Sequence, residues 1–202
     1  MYTTDRLLLR AFEERDKPDI LALYNDPAVI RWITKDYLNP RDLQYFETSI
    51  RPFIGRCFVY AVITTREFQD ATSIQHPTFV GQVFLLHSMD TTKNRDVTLG
   101  IALRTTCQGK GYGTEILRFM IGHAFSALGM HRLSLSVFEG NKKAHQLYKT
   151  LGFVDEGRLR EANRTPEGSW EDLIYMSMLE KEWRRDEGTL GDDSSIVIRM
   201  AS

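Results

Sequence analysis

Three glycines in five residues interrupt the chain in the stretch QGKGYG, residues 108–113, called the glycine loop below. Glycine has no Cβ, so successive glycines let several backbone N–H groups converge on one point. A helical pattern begins directly after the loop, and the N-terminus of a helix favours an anion at that same point. The loop is therefore typical of a turn that binds linked phosphates, with Lys110 as an added charge. A purely structural turn is the alternative.

Two common nucleotide-binding motifs do not match this loop. A Walker P-loop requires G-x-x-x-x-G-K-[ST], whereas here Arg104 occupies the position of its first glycine and Gly111 follows Lys110. A dinucleotide fingerprint requires G-x-G-x-x-G after the first strand, whereas Gly113 comes one residue early and follows a middle strand. The pattern that remains is Q-x-x-G-x-G, and a nucleotide phosphotransferase is disfavoured.

The elements around the glycine loop form a strand–loop–helix–strand unit. Residues 96–104 are predicted to form a strand, and apolar residues recur at helical spacing over 116–128, where Gly129 is a typical stop. Residues 131–137 alternate between apolar and polar side chains, which indicates a second strand. A crossover of this kind predicts that the two strands are parallel and adjacent.

The rest of the chain predicts an α/β protein, more narrowly an α+β mixed sheet with helices on its faces. Asn39 and Pro40 predict the start of a helix, and the polar residues 65–77 predict a long hairpin loop. We expect one domain over residues 1–183 and a polar C-terminal tail over 184–202, disordered or adding an edge strand. The further strands are predicted at 6–12, 57–64, 78–87, 153–160 and 170–178, and the further helices at 17–24, 39–50 and 141–151.

Composition excludes several classes of protein. The 202 residues carry a formal net charge of −1, whereas a nucleic-acid binder usually shows a basic excess. No apolar run approaches the roughly 20 residues of a membrane span, and no signal-peptide pattern begins the chain, so we expect a cytoplasmic protein, without excluding nuclear entry. The two cysteines, Cys57 and Cys107, lack metal-ligand spacing and are expected to be free thiols. No metal site is predicted.

The glycine loop and the following Thr114 and Glu115 resemble the pyrophosphate loop of the GNAT N-acetyltransferase superfamily. EGNKKAHQLYKTLGF, residues 139–153, resembles the second signature of that family, N-x-x-A-x-x-L-Y-x-x-x-G-F, with each position present. TDRLLLR at 4–10 is similar to its first strand. GSWEDLIYMSMLEKEW at 168–183 is similar to the closing strand of the branch with the ribosomal-protein N-terminal acetyltransferases. The resemblance implies the GNAT acyl-CoA N-acyltransferase fold, with splayed central parallel strands.

The resemblance also implies acetyl-CoA as a co-substrate. The strand before the glycine loop would pair its backbone with the pantetheine arm, and the loop itself would hold the pyrophosphate. Asn141 would hydrogen-bond the pantetheine arm; capping the following helix is its alternative role, and both can hold because a cap needs only the side-chain oxygen. The implied acetyl-CoA-binding residues are Ile101, Ala102, Leu103, Gln108, Gly109, Lys110, Gly111, Tyr112, Gly113, Thr114, Asn141 and Ala144.

Tyr148 matches the tyrosine that lies near the thioester sulfur in this family. A phenol can donate a proton to the leaving thiolate as a general acid, although a core tyrosine is the alternative. Many relatives carry a glutamate where this chain has Thr98, which is not a base and can only position a water. Asp96 and His87 are the other candidates for the general base, and the choice stays open.

The resemblance places Trp32, Glu171 and Tyr175 near the acceptor, with core packing or a solvated strand face as alternatives. It implies transfer of an acetyl group by direct attack of a primary amine: a protein N-terminus, a polyamine or another small amine. Because Thr98 replaces the usual acid, a non-catalytic acyl-CoA-binding module is the alternative function. We expect no nucleic-acid or membrane partner, and a monomer or homodimer.

Overall fold

The computed structural model describes residues 1–66, 68–69, 74–75, 77–87 and 92–189. Its strands are β1 (Tyr2–Thr3), β2 (Leu7–Arg10), β3 (Val59–Thr65), β4 (Phe68–Gln69), β5 (Ile74–Gln75), β6 (Phe79–His87), β7 (Asp96–Leu103), β8 (Arg132–Phe138), β9 (Val154–Arg164) and β10 (Trp170–Leu179). Eight of them form one mixed sheet in the order β1-β2-β3-β6-β7-β8-β10-β9, and β4 pairs with β5 separately.

Helices connect these strands and cover both faces of the sheet. The α-helices are α1 (Lys17–Asn25), α2 (Pro27–Ile30), α3 (Leu43–Tyr45), α4 (Arg51–Arg56), α5 (Tyr112–Gly122), α6 (Lys142–Thr150) and α7 (Glu180–Thr189). Short 3-10 turns lie at Glu14–Asp16, Thr92–Asn94 and Thr105–Cys107, and π-helical turns at Phe46–Ile50 and His123–Ala127. The predicted α/β class with a mixed sheet is confirmed.

One face of the sheet carries α1–α4. In the antiparallel register Gln82 lies opposite Ala102 and Phe84 opposite Gly100, so these side chains project from the same face as Thr98. On this face Ala102 belongs to a buried cluster with residues of α1 and of the segment from α3 to α4: Ile20, Leu23, Phe46 and Ile50.

The opposite face carries α5, whose apolar residues follow the predicted helical period. Val83 and Leu85 belong there to the main buried cluster, together with Ile116, Leu117 and Met120. The two faces therefore have separate apolar cores, and the strands between them hold both sets of helices in fixed positions.

The parallel strands β7 and β8 are adjacent, as predicted, and they separate part-way along their length. Their ladder runs from Asp96 to Thr98, which pairs with Ser134. Beyond that pair β7 continues to Leu103 and β8 to Phe138, and the gap between them opens a cavity. The predicted splay of the central parallel strands is confirmed.

Several boundaries differ from the prediction. The second long helical segment begins at Leu43 rather than at Pro40, and its N-cap is Asp42 rather than Asn39, because the Asp42 side chain accepts a hydrogen bond from the Tyr45 N–H at 2.9 Å. Helices α2 and α7 were not predicted, and α7 extends into the predicted tail. Residues 190–202 lie outside the described residues, as do 67, 70–73 and 76 of the predicted loop 65–77, whose described part contains the β4–β5 pair. The domain boundary at 183 stays a prediction.

Both cysteines are free thiols, with Cys107 buried and Cys57 partly buried. In the described part of the chain, no helix combines the length and the apolar character needed to cross a membrane.

Gly81 of β6 is required by the close approach of β7. A Cβ at this position would lie 2.1 Å from the carbonyl oxygen of Ala102, whereas a Cβ at Gly157 of β9 would have nothing within 4 Å. We expect Gly81→Ala to lower the free energy of unfolding by about 2–3 kcal/mol and Gly157→Ala to leave it unchanged or slightly higher. Urea denaturation of both variants tests this, and an equal effect of the two would contradict it.

Candidate active site

A cavity of about 1170 Å³ lies at the gap between β7 and β8. One wall consists of the end of β7, the glycine loop, the end of β8 and the first turns of α6. The other wall comes from β6 and from residues 24–56 of the α1–α4 segment, called the helical wall below. The volume exceeds what a typical drug-sized ligand fills, so it can accommodate two reactants at once.

The glycine loop leads from β7 into α5 through two glycines in the left-handed region. Gly109 has φ +74° and Gly111, the N-cap of α5, has φ +80°. A Cβ would be unobstructed at Gly109, so glycine is favoured there by backbone conformation rather than by space. The Gln108 side-chain amide donates to the Leu103 carbonyl at 3.1 Å, which ties the loop to the end of β7.

A network that the sequence did not reveal holds the loop from outside the cavity. Arg6 donates from Nε to the Glu115 carboxylate at 2.7 Å and from Nη1 to the Lys110 carbonyl at 2.9 Å. The Thr4 hydroxyl donates to the same carboxylate at 2.5 Å. Burial alone would raise the pKa of Glu115, but hydrogen bonds from Thr4 and Arg6 outweigh it and hold the pKa below its ordinary value. The segment before β2 therefore fixes the start of α5.

Helix α6 brings two predicted residues to the cavity. The Asn141 side-chain oxygen accepts from the Ala144 N–H at 3.3 Å, so Asn141 is the N-cap; its amide nitrogen is not used by the cap. Tyr148 lines the cavity and packs edge-on against Phe153, with ring centroids 6.0 Å apart. Burial raises the pKa of Tyr148 to about 12. Its phenol is therefore protonated at neutral pH and able to donate.

Of the three candidates for the base, the structure brings only Thr98 to the cavity, where its hydroxyl lies 3.2 Å from that of Ser134. The Asp96 carboxylate faces the Arg132 guanidinium at 3.6 Å, and the His87 ring packs on Phe58, with centroids 4.4 Å apart. Neither lines the cavity. Among the described lining residues there is no aspartate, glutamate or histidine, so the side-chain base sought in the sequence is not found on these walls.

The residues predicted to lie near the acceptor are also only partly in the cavity lining. Trp32 lines the cavity, whereas Glu171 and Tyr175 are not among the lining residues. Glu171 is engaged in the structure, since it accepts from the Gly140 N–H at 2.9 Å and from the Asn163 amide at 2.7 Å. Tyr175 is 45% exposed on β10. A role at the acceptor for any of the three stays a prediction.

Most of the predicted acetyl-CoA-binding residues line the cavity, but the side chains of Lys110 and Tyr112 are not part of it. The Lys110 carbonyl accepts from Arg6, whose guanidinium lies over the Tyr112 ring at 4.8 Å. The ten that do line it are Ile101, Ala102, Leu103, Gln108, Gly109, Gly111, Gly113, Thr114, Asn141 and Ala144.

Sequence reasoning missed much of the opposite wall. Gln82 is buried on β6; it accepts from the Tyr60 hydroxyl at 2.7 Å and donates to the Tyr24 hydroxyl at 3.1 Å. Burial raises the pKa of both tyrosines. A glutamine inside the otherwise apolar stretch FVGQVFLL is the sequence signal that could have indicated this buried polar group.

Comparison with known proteins agrees with this architecture. The family model described as "Acetyltransferase (GNAT) domain" matches residues 6–154. The chain is 31% identical over 102 residues to "Putative ribosomal N-acetyltransferase YdaF" of Bacillus subtilis, a match that covers 50% of this chain and 55% of that protein. It is 23% identical over 192 residues to the uncharacterized N-acetyltransferase YnaD of the same species, with 90% and 98% covered.

A solved structure shows the same fold. The crystal structure of spermidine N-acetyltransferase from Vibrio cholerae in complex with CoA and spermine superposes with a TM-score of 0.72 at 24% identity, covering 90% of this chain and 99% of that one. At this identity the likeness supports the fold, and the chemistry of the acceptor has to be argued from the residues of this chain.

The Glu115 network predicts a pH-dependent contribution to stability. Because the pKa of Glu115 is lowered by folding, its contribution is present above the unfolded value of about 4.3 and is lost as the pH falls through the folded pKa. We expect Glu115→Gln to lower the free energy of unfolding by about 2 kcal/mol at pH 7. Urea denaturation at pH 7 and 3.5 should show this difference shrinking; a difference of constant size would contradict the assignment.

Proposed function

The chain belongs to the GNAT N-acetyltransferase family, and we propose that its cavity brings acetyl-CoA together with a primary amine for direct acetyl transfer. The observation that carries the proposal is the gap between β7 and β8. This gap belongs to the cavity that the glycine loop and Tyr148 also line. A donor bound along the gap would therefore meet both a phosphate-binding turn and a proton donor.

The residues present fit acetyl-CoA, which supplies an acetyl thioester when it is bound. The backbone of β7 beyond Thr98 faces the gap rather than the ladder with β8, and these groups need partners that amides of a pantetheine arm can provide. The loop with Gly109 and Gly111 leads to the N-terminus of α5, which favours the pyrophosphate. Asn141 can cap α6 and still donate from its amide nitrogen.

In our proposal Tyr148 protonates the departing sulfur. Its pKa of about 12 keeps the phenol protonated across the working pH range, so the proton is present whenever the thiolate leaves. The acceptor must attack as a neutral amine. With no carboxylate or imidazole among the described lining residues, we propose that its proton passes to water held by the hydroxyl groups of Thr98 and Ser134.

The acceptor is proposed here only as a primary amine. The names of the relatives point to different acceptors, a ribosomal one for YdaF and spermidine for the Vibrio cholerae enzyme. A non-catalytic acyl-CoA-binding module is the second candidate, because Thr98 stands where a base is expected and the described walls supply no replacement. Turnover decides between the two.

Tyr148→Phe tests the catalytic role. Because only the hydroxyl is removed, we expect CoA binding to change less than twofold and kcat to fall by about 10²-fold. CoA release measured with a thiol reagent, over a panel of amines and peptides, gives kcat, and calorimetry gives the CoA affinity. Tight CoA binding with no turnover on any acceptor, in both wild type and variant, would instead support the binding module.

Gly111→Ala tests the glycine loop. At φ +80° an alanine is strained, and its Cβ would lie 3.2 Å from Nη2 of Arg6, so the backbone N–H groups should lose their alignment. We expect the dissociation constant for CoA to rise by roughly tenfold or more. Gly129→Ala is the matched control, since Gly129 also has a positive φ, +63°, but lies outside the cavity lining. Equal CoA affinity in the two variants would overturn the site assignment.

A further inference from the structure

The helical wall of the cavity is positively charged. It contributes Lys35, Arg41 and Arg56, and the first turn of α6 adds Lys142 and Lys143. Among the described residues that line the cavity these five cations face no aspartate or glutamate. The ionisable side chains that carry a full charge on these walls are therefore all cationic, which attracts anions and disfavours a second positive charge on a ligand.

Arg41 is the cation that the fold holds most firmly. The residue is only 8% exposed. The Asn25 side chain forms two hydrogen bonds with the Arg41 backbone: it donates to the carbonyl and accepts from the N–H, both at 2.8 Å. The guanidinium lies over the Tyr45 ring at 4.5 Å and near the Tyr24 ring at 5.7 Å. An arginine held in this way is preorganised to bind an oxyanion with its planar set of N–H donors.

No acid in the described part of the chain forms an ion pair with Arg41, although several lie on the same helices. Asp42 caps α3, and Asp19 pairs with Arg104 at 2.8 Å. Asp26 accepts from the Ala28 N–H and from the Thr105 hydroxyl. A buried charge without a counterion is costly, so the missing partner is expected from a ligand.

We propose that the acceptor is a primary amine that also carries an oxyanion, in the simplest case a carboxylate, which Arg41 binds. This inference rests on the proposed acetyl transfer and narrows its substrate. A polyamine would bring only further positive charge to the helical wall and is expected to be a poor acceptor. Because the pyrophosphate of the donor is proposed to bind at the glycine loop and the start of α5, Arg41 on the helical wall is left for the acceptor.

The same cations help to explain how transfer proceeds without a side-chain base. Positive groups near an ammonium favour its neutral form. The carboxylate would hold the acceptor in the cavity, while Arg41 and its neighbours favour the deprotonated amine that attacks. The same cations then favour both the binding of the acceptor and the deprotonation of its amine.

Matched acceptors test the inference. The peptide amides Ala-Glu-Ala and Ala-Gln-Ala have nearly the same shape and differ in the charge next to the amine, and Ala-Lys-Ala brings the opposite charge to that position. The pair β-alanine and β-alaninamide repeats the comparison for a free amino acid. We expect kcat/KM to fall in the order Glu, Gln, Lys, by roughly tenfold or more at each step, and spermidine to rank with the Lys peptide. Whichever anionic acceptor is preferred, the peptide or the amino acid, identifies the source of the oxyanion.

A variant of Arg41 tests whether this residue causes the preference for the Glu peptide. In Arg41→Gln we expect the Glu peptide to lose its advantage over the Gln peptide through a higher KM, while the dissociation constant for CoA is unchanged. Arg51→Gln is the matched control: this arginine also lies over aromatic rings, those of Phe12 and Phe46, but outside the cavity lining, and should keep the preference. A preference that survives in Arg41→Gln, or spermidine as the best acceptor, overturns the inference.

A binding measurement separates this inference from the proposed function. The N-acetylated Glu and Gln peptides resemble reaction products, and calorimetry in the presence of CoA measures their affinity without turnover. Stronger binding of the Glu peptide that depends on Arg41 supports the charge recognition even if no acceptor is turned over, a result that would overturn acetyl transfer alone. Turnover without charge preference would overturn the inference and leave the proposed function standing.

Discussion

The organisation of the site depends on the hydrogen-bonded ladder between β7 and β8, which is shorter than the two strands. Hydrogen bonding between β7 and β8 ends where Thr98 meets Ser134, although both strands continue. A buried strand edge is normally paired because unsatisfied peptide groups are costly. Here the edge opens onto a cavity, and in our proposal its peptide groups pair with the bound donor. The sheet on either side must then be rigid, and the two separate apolar cores on its faces provide that rigidity.

This gap has two walls with different tasks. The wall with the glycine loop is built from backbone: positive φ at Gly109 and Gly111, and the start of α5. The helical wall is built from side chains held by other side chains, as Asn25 holds Arg41 and Tyr60 holds Gln82. Backbone recognition suits a constant donor, whereas side-chain recognition can change with substitution. We therefore expect the helical wall to determine the acceptor.

The first wall could be predicted from the sequence and the second could not. Glycine spacing and the helical period of 116–128 are local signals, and the crossover and the cap at Asn141 that were predicted from such signals are confirmed. The splay, which the family resemblance implied, is confirmed as well. Arg6 reaches Glu115 across 109 positions, and no local pattern indicates such a contact. Arg41 was read as part of a helix start that the structure moves to Leu43. No local pattern indicated either that the Glu171 carboxylate accepts hydrogen bonds from Gly140 and Asn163, and its role at the acceptor stays a prediction.

The cationic wall also changes how Thr98 is to be interpreted. If a base were required, threonine at this position would favour a protein that binds the donor without turning it over. A set of positive charges facing the acceptor can take over part of that task, since it lowers the free energy needed to remove a proton from an ammonium. The absence of acids from the described lining residues is then compatible with catalysis. In our proposal the amine is then deprotonated with the help of these positive charges and of water, rather than by one of the lining side chains.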